Sequence, residues 1–451
     1  MNKMKWIKDV VTLGLFVCVV TPVFSQKQSS NITLTGQLKN FSNQVEVEDM
    51  SEYQYLLPPT AERIIIPDSN GNFKVTFSAV APNYYRLGRN ALYLSPGDNL
   101  QVTIDKNNPK LATFSGKGAE ANNYMKDTPF PKGGSFLEAG RLIKETPEAT
   151  IAEVEAAAEE RKKQLKTITK VSPEFKRLEA ARIKADLINS IYLSQTYGLG
   201  KKKLRADGTP QTEEDYQKAI LPKVKELSKN FTDPSLMKIV VYRDIADNVI
   251  KEGGKPEDVR RIRDWYTGSA LVRQMQKIND KQQLAQLKSE VDKITTTEYR
   301  GAVNEMLKRL MAFGKGDTAV DFQAIDISGK LVNLSSLKGK VLYVDLWATW
   351  CGPCMQEMPH FEKLKEKYRD NPNVAFISLS IDDGAALWKK SVEGRKAGGI
   401  QWLINRSKLD AYNIVGIPRI LLIDKDFKVS DMNAPAPSKI DAVYAIEALL
   451  R

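Results

Sequence analysis

The amino-acid sequence predicts a multidomain protein with an N-terminal antiparallel β-domain, a central α-helical region and a C-terminal α/β domain. Three observations favour this division. The chain has 451 residues, which suggests about three domains because one hydrophobic core rarely grows that large. Apolar residues recur with the period of strands up to about Met125 and with the period of helices from there to Phe313. Short buried-type runs alternate with helical segments from Gly314 onwards.

Residues 1–25 are predicted to be a secretory signal peptide. Three lysines in the first eight residues precede an apolar run from Val10 to Val20, and Val23-Phe24-Ser25 lies at a usual cleavage distance. Cys18 lies within the run and is expected to leave with the signal. A membrane anchor is the alternative, although the run is short for a bilayer span. We therefore expect export to the periplasm, or membrane association if the segment is retained.

The charge pattern argues against nucleic-acid binding. The net charge of the whole chain is +12, but the basic residues are spread thinly. The one tight internal cluster, Lys201 to Lys203, lies beside a glycine and has no interleaved aromatic residues. Only two cysteines, Cys351 and Cys354, remain after removal of the signal peptide, so the exported chain is not a scaffold stabilised by many disulfides.

Residues 26–125 are predicted to form a small β-sandwich-like domain. Apolar and polar residues alternate in three runs, at 32–34, 73–77 and 100–104. Asn70-Gly71 lies between two runs and is typical of a tight hairpin turn. Ser115 to Gly118 is interpreted as another turn.

Residues 126–313 are predicted to be helical. Apolar residues fall on one helical face in several windows, and we interpret these stripes as core. Ser172-Pro173 is a capping hydroxyl followed by a first-turn proline, and Thr212 to Asp215 has the pattern of a capping box. This region contains no motif of clustered acid, base or nucleophile, so its role is left open.

Residues 314–451 are predicted to form an α/β sheet domain. The runs 341–346 and 374–381 are typical of buried central strands. The segments 419–423 and 428–429 predict a hairpin, and Ser438 is expected to cap a last helix. A helix is predicted directly after the cysteine pair.

Cys351 and Cys354 are separated by two residues, and thiols at this spacing can bind a metal, clamp a loop or exchange electrons. A zinc site needs three or four ligands, and the only histidine, His360, is expected to be exposed, so we expect no metal and no cofactor. Cys351 is predicted at a helix N-terminus with Pro353 in the first turn, which favours a thiolate. Cys354 lies one turn further in, so Cys351 is expected to attack and Cys354 to resolve.

The run VDLWATWCGPC resembles the active-site strand and helix of thioredoxins. The longer stretch GKLVNLSSLKGKVLYVDLWATWCGPCMQEMPHFEKL, together with predicted export, resembles the TlpA/ResA-like thiol:disulfide oxidoreductases. The likeness covers about residues 316–451 and implies a thioredoxin-like fold. It also implies that Cys351 is the nucleophile and Cys354 the resolving thiol, which form the redox disulfide.

The resemblance assigns further residues to the site. It makes Asp345 the buried carboxylate behind the cysteines and Glu357 the acidic residue one turn beyond them. It places Pro418 in a cis-proline loop, with the backbone of Ile417 offered to an extended substrate. Pro359 corresponds to the proline that bends the active-site helix. Where the family often has glycine in the late hairpin turn, this sequence has Asp426-Phe427.

Each assignment has a structural alternative. Asp345 could be a salt-bridged strand residue and Glu357 a solvated helix carboxylate. Pro418 could be an ordinary trans turn residue, since most X-Pro bonds are trans. Trp347 and Trp350 are expected to pack rather than react, with Trp350 also a candidate for the rim of a substrate-docking surface.

The sequence as a whole predicts an exported thiol:disulfide oxidoreductase that reduces or isomerises protein disulfides through a mixed disulfide. Its expected partners are protein substrates with disulfides and a membrane-linked thiol reductant, and its oligomeric state is left open. Gly352 and Pro353 add no positive charge beside the thiolate, which favours a reducing protein. The alternatives are a thiol peroxidase, disfavoured because position 348 is alanine rather than threonine, and a partner-binding protein whose redox domain is secondary.

Overall fold

The computed structural model describes residues 30–41, 45–58, 61–128, 135–253, 256–278, 280–382, 384–414 and 416–451. The predicted signal peptide lies outside the described residues. Within these ranges, the helices are all too short or too polar to cross a bilayer.

Two four-stranded sheets form the first part of the described chain. Their strands are β1 (Ser30–Lys39), β2 (Val45–Asp49), β3 (Ile64–Ile65), β4 (Asn72–Ala79), β5 (Asn83–Leu87), β6 (Asn90–Leu94), β7 (Asn99–Asp105) and β8 (Thr113–Lys117). The strand orders are β4-β1-β7-β8 and β3-β2-β5-β6. In β4 and β7 every second side chain is buried, and these side chains join a shared apolar cluster.

The prediction of an antiparallel domain is wrong for one pair of strands. β1 pairs with β7 in parallel, whereas its other neighbour, β4, is antiparallel. Alternation along a strand reports which side chains are buried and does not report strand direction, so the sequence pattern could not distinguish the two cases.

The predicted turns have mixed outcomes. Gly71 has a φ of 80° and directly precedes β4, but β4 pairs with β1 rather than with the strand before the turn. Residues 115–117 belong to β8 and are not a turn. Gly116 has a φ of 90°, and a Cβ there would lie 2.4 Å from the Asn99 carbonyl oxygen of the paired strand. The close approach of two backbones therefore explains this glycine.

The middle of the chain is helical. Its helices are α1 (Ala119–Met125), α2 (Pro147–Thr167), α3 (Pro173–Gly200), α4 (Glu213–Ser228), α5 (Val240–Gly253), α6 (Pro256–Met275), α7 (Lys281–Gln286), α8 (Lys288–Asp292) and α9 (Thr297–Ala312). The predicted N-caps are confirmed: the Ser172 hydroxyl accepts from the Phe175 amide, and Thr212 forms a capping box with Asp215.

A buried ionic network joins the strands to the helices. Arg182 on α3 donates to Glu179 and Asp186 of the same helix, and all three side chains are almost completely buried. The hydroxyl of Tyr84 on β5 donates to Oε1 of Glu179 at 2.7 Å. Because a buried charge is costly without partners, this network ties the position of β5 to that of α3.

A seven-stranded sheet forms the last part of the chain. Its elements are β9 (Gln323–Asp326), β10 (Leu331–Asn333), β11 (Val341–Trp347), α10 (Gly352–Lys367), β12 (Val374–Ser380), α11 (Ala385–Gly394), β13 (Ile400–Leu403), β14 (Arg419–Ile423), β15 (Val429–Asp431) and α12 (Ile440–Leu450). The strand order is β10-β9-β13-β12-β11-β14-β15. β11, β12 and β13 are parallel, and β14 and β15 form the predicted antiparallel hairpin.

The centre of this sheet carries the site. β11 and β12 are buried at all seven of their residues, because apolar clusters cover both faces of the sheet. The short elements β9, β10, α11 and β13 were not predicted, since each has too few residues to show a clear period. Phe427 in the late hairpin turn has a φ of 61°, so a buried aromatic residue occupies a backbone conformation that usually favours glycine.

We predict that Tyr84→Phe destabilises the protein. The substitution removes the hydrogen bond that the buried Tyr84 hydroxyl donates to Glu179 and leaves Arg182 as the remaining donor. The expected decrease in the free energy of unfolding is about 1.5–3 kcal/mol. The measurement is urea unfolding followed by circular dichroism. Tyr444→Phe is the control, because Tyr444 is 64% exposed. Equal effects of the two substitutions would contradict the importance of the network.

Candidate active site

The two cysteines lie at the start of α10 and form a disulfide with an S–S distance of 2.00 Å. Cys351 is the N-cap of the helix, and its Sγ accepts a hydrogen bond from the backbone amide of Cys354 at 3.2 Å. Pro353 lies in the first turn, where a missing amide hydrogen has no effect on the helix. A sulfur in this position receives the unpaired amides and the positive end of the helix dipole, which favour its thiolate form.

Both cysteines are buried, whereas the two tryptophans near them differ in exposure. Cys351 is 5% exposed and Cys354 is 1% exposed, so both are shielded in the disulfide form. Trp347 is completely buried, as predicted for a packing residue. Trp350 is 64% exposed, so the expectation that it packs is wrong. It lies in the loop after β11, where no helix or strand covers it, and it is available to a docking molecule.

The loop before Cys351 is held by a carboxylate that the sequence analysis missed. Asp382 accepts hydrogen bonds from the Thr349 amide at 2.9 and 3.0 Å and from the Thr349 hydroxyl at 2.7 Å. It also accepts from the Ser380 hydroxyl at 2.8 Å. The sequence did contain a signal for this contact. Asp382 follows β12 and Thr349 follows β11, and parallel neighbouring strands end at the same edge of a sheet.

Asp345 lies in the middle of β11 and is 1% exposed. Because side chains alternate along a strand, it shares a face with Tyr343, whose ring packs 6.3 Å from that of Phe361 on α10. Its Oδ2 has no hydrogen-bond partner among the described residues. The pKa of Asp345 is raised to about 7, mainly by burial and also by the negative charge of Glu357, while the positive charge of Arg395 opposes the rise.

Glu357 is half-buried on α10, three residues beyond Cys354. Its carboxylate accepts hydrogen bonds from the Ser438 amide at 3.0 Å and the Ser438 hydroxyl at 2.8 Å. The prediction that Ser438 caps the last helix is therefore wrong. Lys439 is the N-cap of α12, and its ammonium group has no acceptor with which to cap an amide. The Ser438 hydroxyl donates to Glu357 instead.

The Ile417-Pro418 peptide bond is cis, as the resemblance implies. Ile417 is half-buried and packs against the apolar cluster that includes both cysteines, whereas Pro418 is exposed. Pro418 directly precedes β14, and β14 pairs with β11, the strand that leads to the cysteines. Cys351, Trp350 and Pro418 therefore all lie next to the ends of adjacent central strands.

Comparison with known proteins agrees with this geometry. Residues 314–450 match the family model described as Redoxin. The thiol-disulfide oxidoreductase ResA of Bacillus thuringiensis (strain Al Hakam) is 34% identical over 137 residues, which are 30% of this chain and 75% of that protein. The chain belongs to the ResA-like thiol-disulfide oxidoreductases.

Two further similarities involve the same share of the chain. ResA of Geobacillus kaustophilus (strain HTA426) is 30% identical over 140 residues, which are 31% of this chain and 79% of that protein. The crystal structure of the thioredoxin domain of a thiol-disulfide oxidoreductase from Bacteroides vulgatus is 28% identical, with a TM-score of 0.28, and the match covers 31% of this chain and 99% of that one. The C-terminal region of this ResA-like enzyme has a thioredoxin-like fold.

A second residue missed by sequence reasoning lies behind the site of this ResA-like enzyme. The guanidinium of Arg395, just after α11, lies 4.6 Å from the ring centroid of Trp347. Its Nη1 donates to the sulfur of Met358 on α10 at 3.1 Å.

His360 and Pro359 are exposed on α10. Among the described residues, no group of three or more His, Cys, Asp or Glu side chains is arranged to hold a metal ion.

We predict that Asp345→Asn stabilises the oxidised protein at alkaline pH. The raised pKa of Asp345 means that the folded protein binds a proton that the unfolded chain has released, from about pH 4 up to about pH 7. This contribution to stability is complete below the unfolded pKa and is lost as the pH rises through 7. The amide cannot ionise and avoids this loss.

The expected gain in the free energy of unfolding at pH 8 is on the order of 2–4 kcal/mol, from about 1.4 kcal/mol per pKa unit, with little gain near pH 4. Calorimetric unfolding across this pH range measures it. Asp370→Asn, at an exposed position, is the control. A gain that is equal at both pH values would show that Asp345 has an ordinary pKa.

Proposed function

We propose that this oxidoreductase is exported to the periplasm and reduces or isomerises disulfides of protein substrates through a mixed disulfide on Cys351. The observation that carries this proposal is the sulfur of Cys351 at the N-terminus of α10, where it accepts the Cys354 amide hydrogen bond. The exposed Trp350 and Pro418 are proposed to form a docking surface near that sulfur.

In the proposed reaction, the two cysteine thiols supply the electrons and protons that reduce the substrate disulfide. The Cys351 thiolate attacks one sulfur of the substrate disulfide, forms a mixed disulfide and releases the other sulfur, which takes up a proton. Cys354 then loses its proton and attacks the Cys351 sulfur, releasing the second substrate thiol. The substrate gains two electrons and two protons, and the Cys351–Cys354 disulfide is formed. A thiol reductant, which we propose is linked to the membrane, returns two electrons and two protons.

Asp345 is the proposed acceptor of the Cys354 proton. A carboxylate in water is too weak a base for a thiol, but burial raises the pKa of Asp345 to about 7 and brings it nearer to that of a thiol. Glu357, fixed by Ser438, contributes through its negative charge, which favours the protonated form of Asp345. Both residues therefore act in resolution rather than in the first attack.

Docking is proposed to use the Ile417 backbone together with Trp350 and Pro418. An extended substrate segment can hydrogen-bond to an exposed backbone, while the indole and the proline ring offer apolar contact. Residues 26–125 and 126–313, which precede the Redoxin match, are proposed to position the substrate. They are not assigned chemistry of their own, because their sequence has no clustered acid, base and nucleophile.

The test of this function is a trapping experiment with the full chain. In Cys354→Ala the mixed disulfide on Cys351 cannot be resolved, so we expect covalent adducts with protein substrates in periplasmic extracts. Cys351→Ser is the control. The adducts are separated on non-reducing gels and identified by mass spectrometry. Adducts no more abundant than in the control would overturn the mixed-disulfide mechanism.

The roles of the carboxylates predict a specific kinetic effect. Asp345→Asn should slow resolution of a preformed mixed disulfide by about 100-fold at pH 7, the range for loss of a general base. The effect should be smaller at pH 9, where the Cys354 thiol ionises without help. Glu357→Gln should slow it by about 3-fold, since its contribution acts through Asp345 and is weakened by partial exposure.

Rapid quenching and alkylation of free thiols measure the resolution rate. Glu366→Gln is the control for Glu357, because it lies exposed on the same helix. Unchanged resolution rates in both Asp345→Asn and Glu357→Gln would remove proton transfer through these residues.

A further inference from the structure

A row of three polar side chains crosses the centre of the C-terminal sheet. Asp345 on β11 is the register partner of Ser378 on β12, and Ser378 is the register partner of Gln401 on β13. Register partners on neighbouring strands project from the same face of a sheet, so the three side chains lie side by side. Their exposed fractions are only 1%, 1% and 5%. These three residues are called the polar row.

Each member of the polar row has an oxygen that needs a partner. Among the described residues, Oδ2 of Asp345, Oγ of Ser378 and Oε1 of Gln401 are buried and make no hydrogen bond. Buried polar atoms are almost always hydrogen-bonded, and ordered water is the partner where the protein supplies none. Neighbouring strands lie about 4.8 Å apart, a distance that one water spans with two hydrogen bonds of about 2.8 Å each. The row therefore has the spacing of a chain in which side chains alternate with bridging waters.

The sheet neighbours of Asp345 in other directions are apolar. On the β14 side its register partner is Ile420, which is 3% exposed. Two residues earlier on β11 and β12 lie Tyr343 and Phe376, whose ring centroids are 5.5 Å apart. Apolar and aromatic packing does not conduct protons. The polar connection from Asp345 across the sheet therefore runs towards Ser378.

The far end of the polar row reaches the surface. Nε2 of Gln401 donates to the Gly398 carbonyl at 3.0 Å, which fixes the side-chain amide and leaves Oε1 for another donor. Gly398 is exposed, and its carbonyl also accepts from Nζ of Lys365 on α10 at 2.9 Å. The row thus extends from a fully buried carboxyl group to a hydrogen-bonded edge in contact with solvent.

The charged groups around Asp345 come from α10 and from the segment after α11. Glu357 on α10 raises the pKa of Asp345 and Arg395 lowers it, although burial is the largest influence. Glu362, also on α10, acts on Arg395 and raises its pKa against the effect of burial. Tyr343, on the same strand, has a pKa raised mainly by burial and also by the charge of Asp345.

The hydroxyl of Ser378 and the guanidinium of Arg395 differ in what they can do for a proton. Nη2 of Arg395 is also buried and lacks a hydrogen-bond partner within the described ranges. A guanidinium keeps its protons in proteins, so Arg395 can orient a water but cannot pass a proton on. A serine hydroxyl donates one hydrogen bond and accepts others, so Ser378 can take a proton on one side and release one on the other.

We propose that the polar row and its bridging waters form a proton route between Asp345 and the solvent beside Gly398. The inference rests on the proposed function, in which Asp345 accepts the Cys354 proton. On release, the O–H bond of Asp345 breaks and a water takes the proton. Ser378 accepts a proton from this water and gives its own to the next water. Gln401 positions that last water, from which a proton passes to the solvent, and uptake reverses these steps without any transfer of electrons.

The first test needs no substrate. The oxidised full-length protein, at about pH 5 where Asp345 is protonated, is mixed with D₂O. Exchange of the Asp345 proton is followed by time-resolved infrared absorption of its C=O stretch, identified by its absence in Asp345→Asn. Ser378→Ala should slow this exchange about 10-fold or more, because the hydroxyl that carries the proton is lost. Gln401→Leu should slow it less, because solvent water can replace the last link.

Two variants control for packing. Ser378→Thr keeps a hydroxyl and should exchange at the wild-type rate. Ile377→Val alters a buried side chain of the same strand on the opposite, apolar face and should also exchange at the wild-type rate. Exchange in Ser378→Ala as fast as in the wild type would overturn the route, and so would equal slowing in Ile377→Val.

The second test connects the route to resolution of a preformed mixed disulfide. At about pH 6, roughly one tenth of the molecules have an ionised Asp345, because its pKa is raised to about 7. The wild type should resolve in one phase, since protons leave Asp345 faster than Cys354 attacks. Ser378→Ala should resolve in two phases, with a fast phase of about one tenth of the amplitude and a slow phase about 10-fold slower than the wild type.

At about pH 9 the wild type and Ser378→Ala should both resolve in one phase at the same rate, because Asp345 is already ionised. Rapid quenching and alkylation measure both phases, and Ser378→Thr should restore the single phase at pH 6. Slowing of Ser378→Ala by the same factor at both pH values would assign Ser378 a structural role and overturn the route.

The two tests separate this inference from the function on which it rests. Slowed exchange in Ser378→Ala, in a protein whose Cys354→Ala variant traps no substrate, would support the route and reject the reductase function. Unslowed exchange together with normal trapping would reject the route and leave the reductase function intact.

Discussion

The complete burial of β11 is the constraint on which the rest of the active site depends. All seven residues of this strand are covered, with β12 on one side and β14 on the other. The strand therefore fixes where Cys351 emerges and where the cis bond before β14 lies relative to it. A shift of one residue in its register would move Asp345 to the opposite face of the sheet and bring an apolar residue behind the cysteine helix. Burial of the strand thus determines both the geometry and the proton chemistry of the site.

Asp345 and Glu357 carry carboxyl groups in the region where a Cys351 thiolate would form. Repulsion between these negative charges is limited by the helix N-terminus and by protonation of Asp345. The N-terminus of α10 stabilises the thiolate of Cys351 directly. Asp345 carries a proton for much of the pH range in which an ordinary aspartate is ionised, because burial raises its pKa to about 7. The positive charge of Arg395 opposes this rise by favouring the ionised carboxylate. Asp345 can therefore change its protonation state near neutral pH.

The sequence was sufficient for features that depend on local pattern and insufficient for those that depend on tertiary position. The spacing of Cys351 and Cys354, with Pro353 between them, predicted the helix N-terminus, and the resemblance placed Asp345 in a buried strand. The parallel pairing of β1 with β7 is absent from any local pattern. Contacts between distant segments, such as those of Ser438 with Glu357 and of Thr349 with Asp382, also required the fold. The sequence alone predicts that a serine just before a helix caps it, but in the fold the Ser438 hydroxyl donates to the Glu357 carboxylate.

The helical region links the N-terminal strands to the C-terminal sheet domain. β2, which carries Glu46, pairs with β5, and β5 is anchored to α3 through Tyr84 and Glu179. At the other end of the helical region, Arg309 on α9 donates to the Asp410 carbonyl of the C-terminal domain at 3.0 Å. Lys281 forms an ion pair with Asp317. Because these contacts connect the N-terminal strands and the C-terminal domain through packed helices, the helical core sets how β2 lies relative to the sheet that carries Cys351.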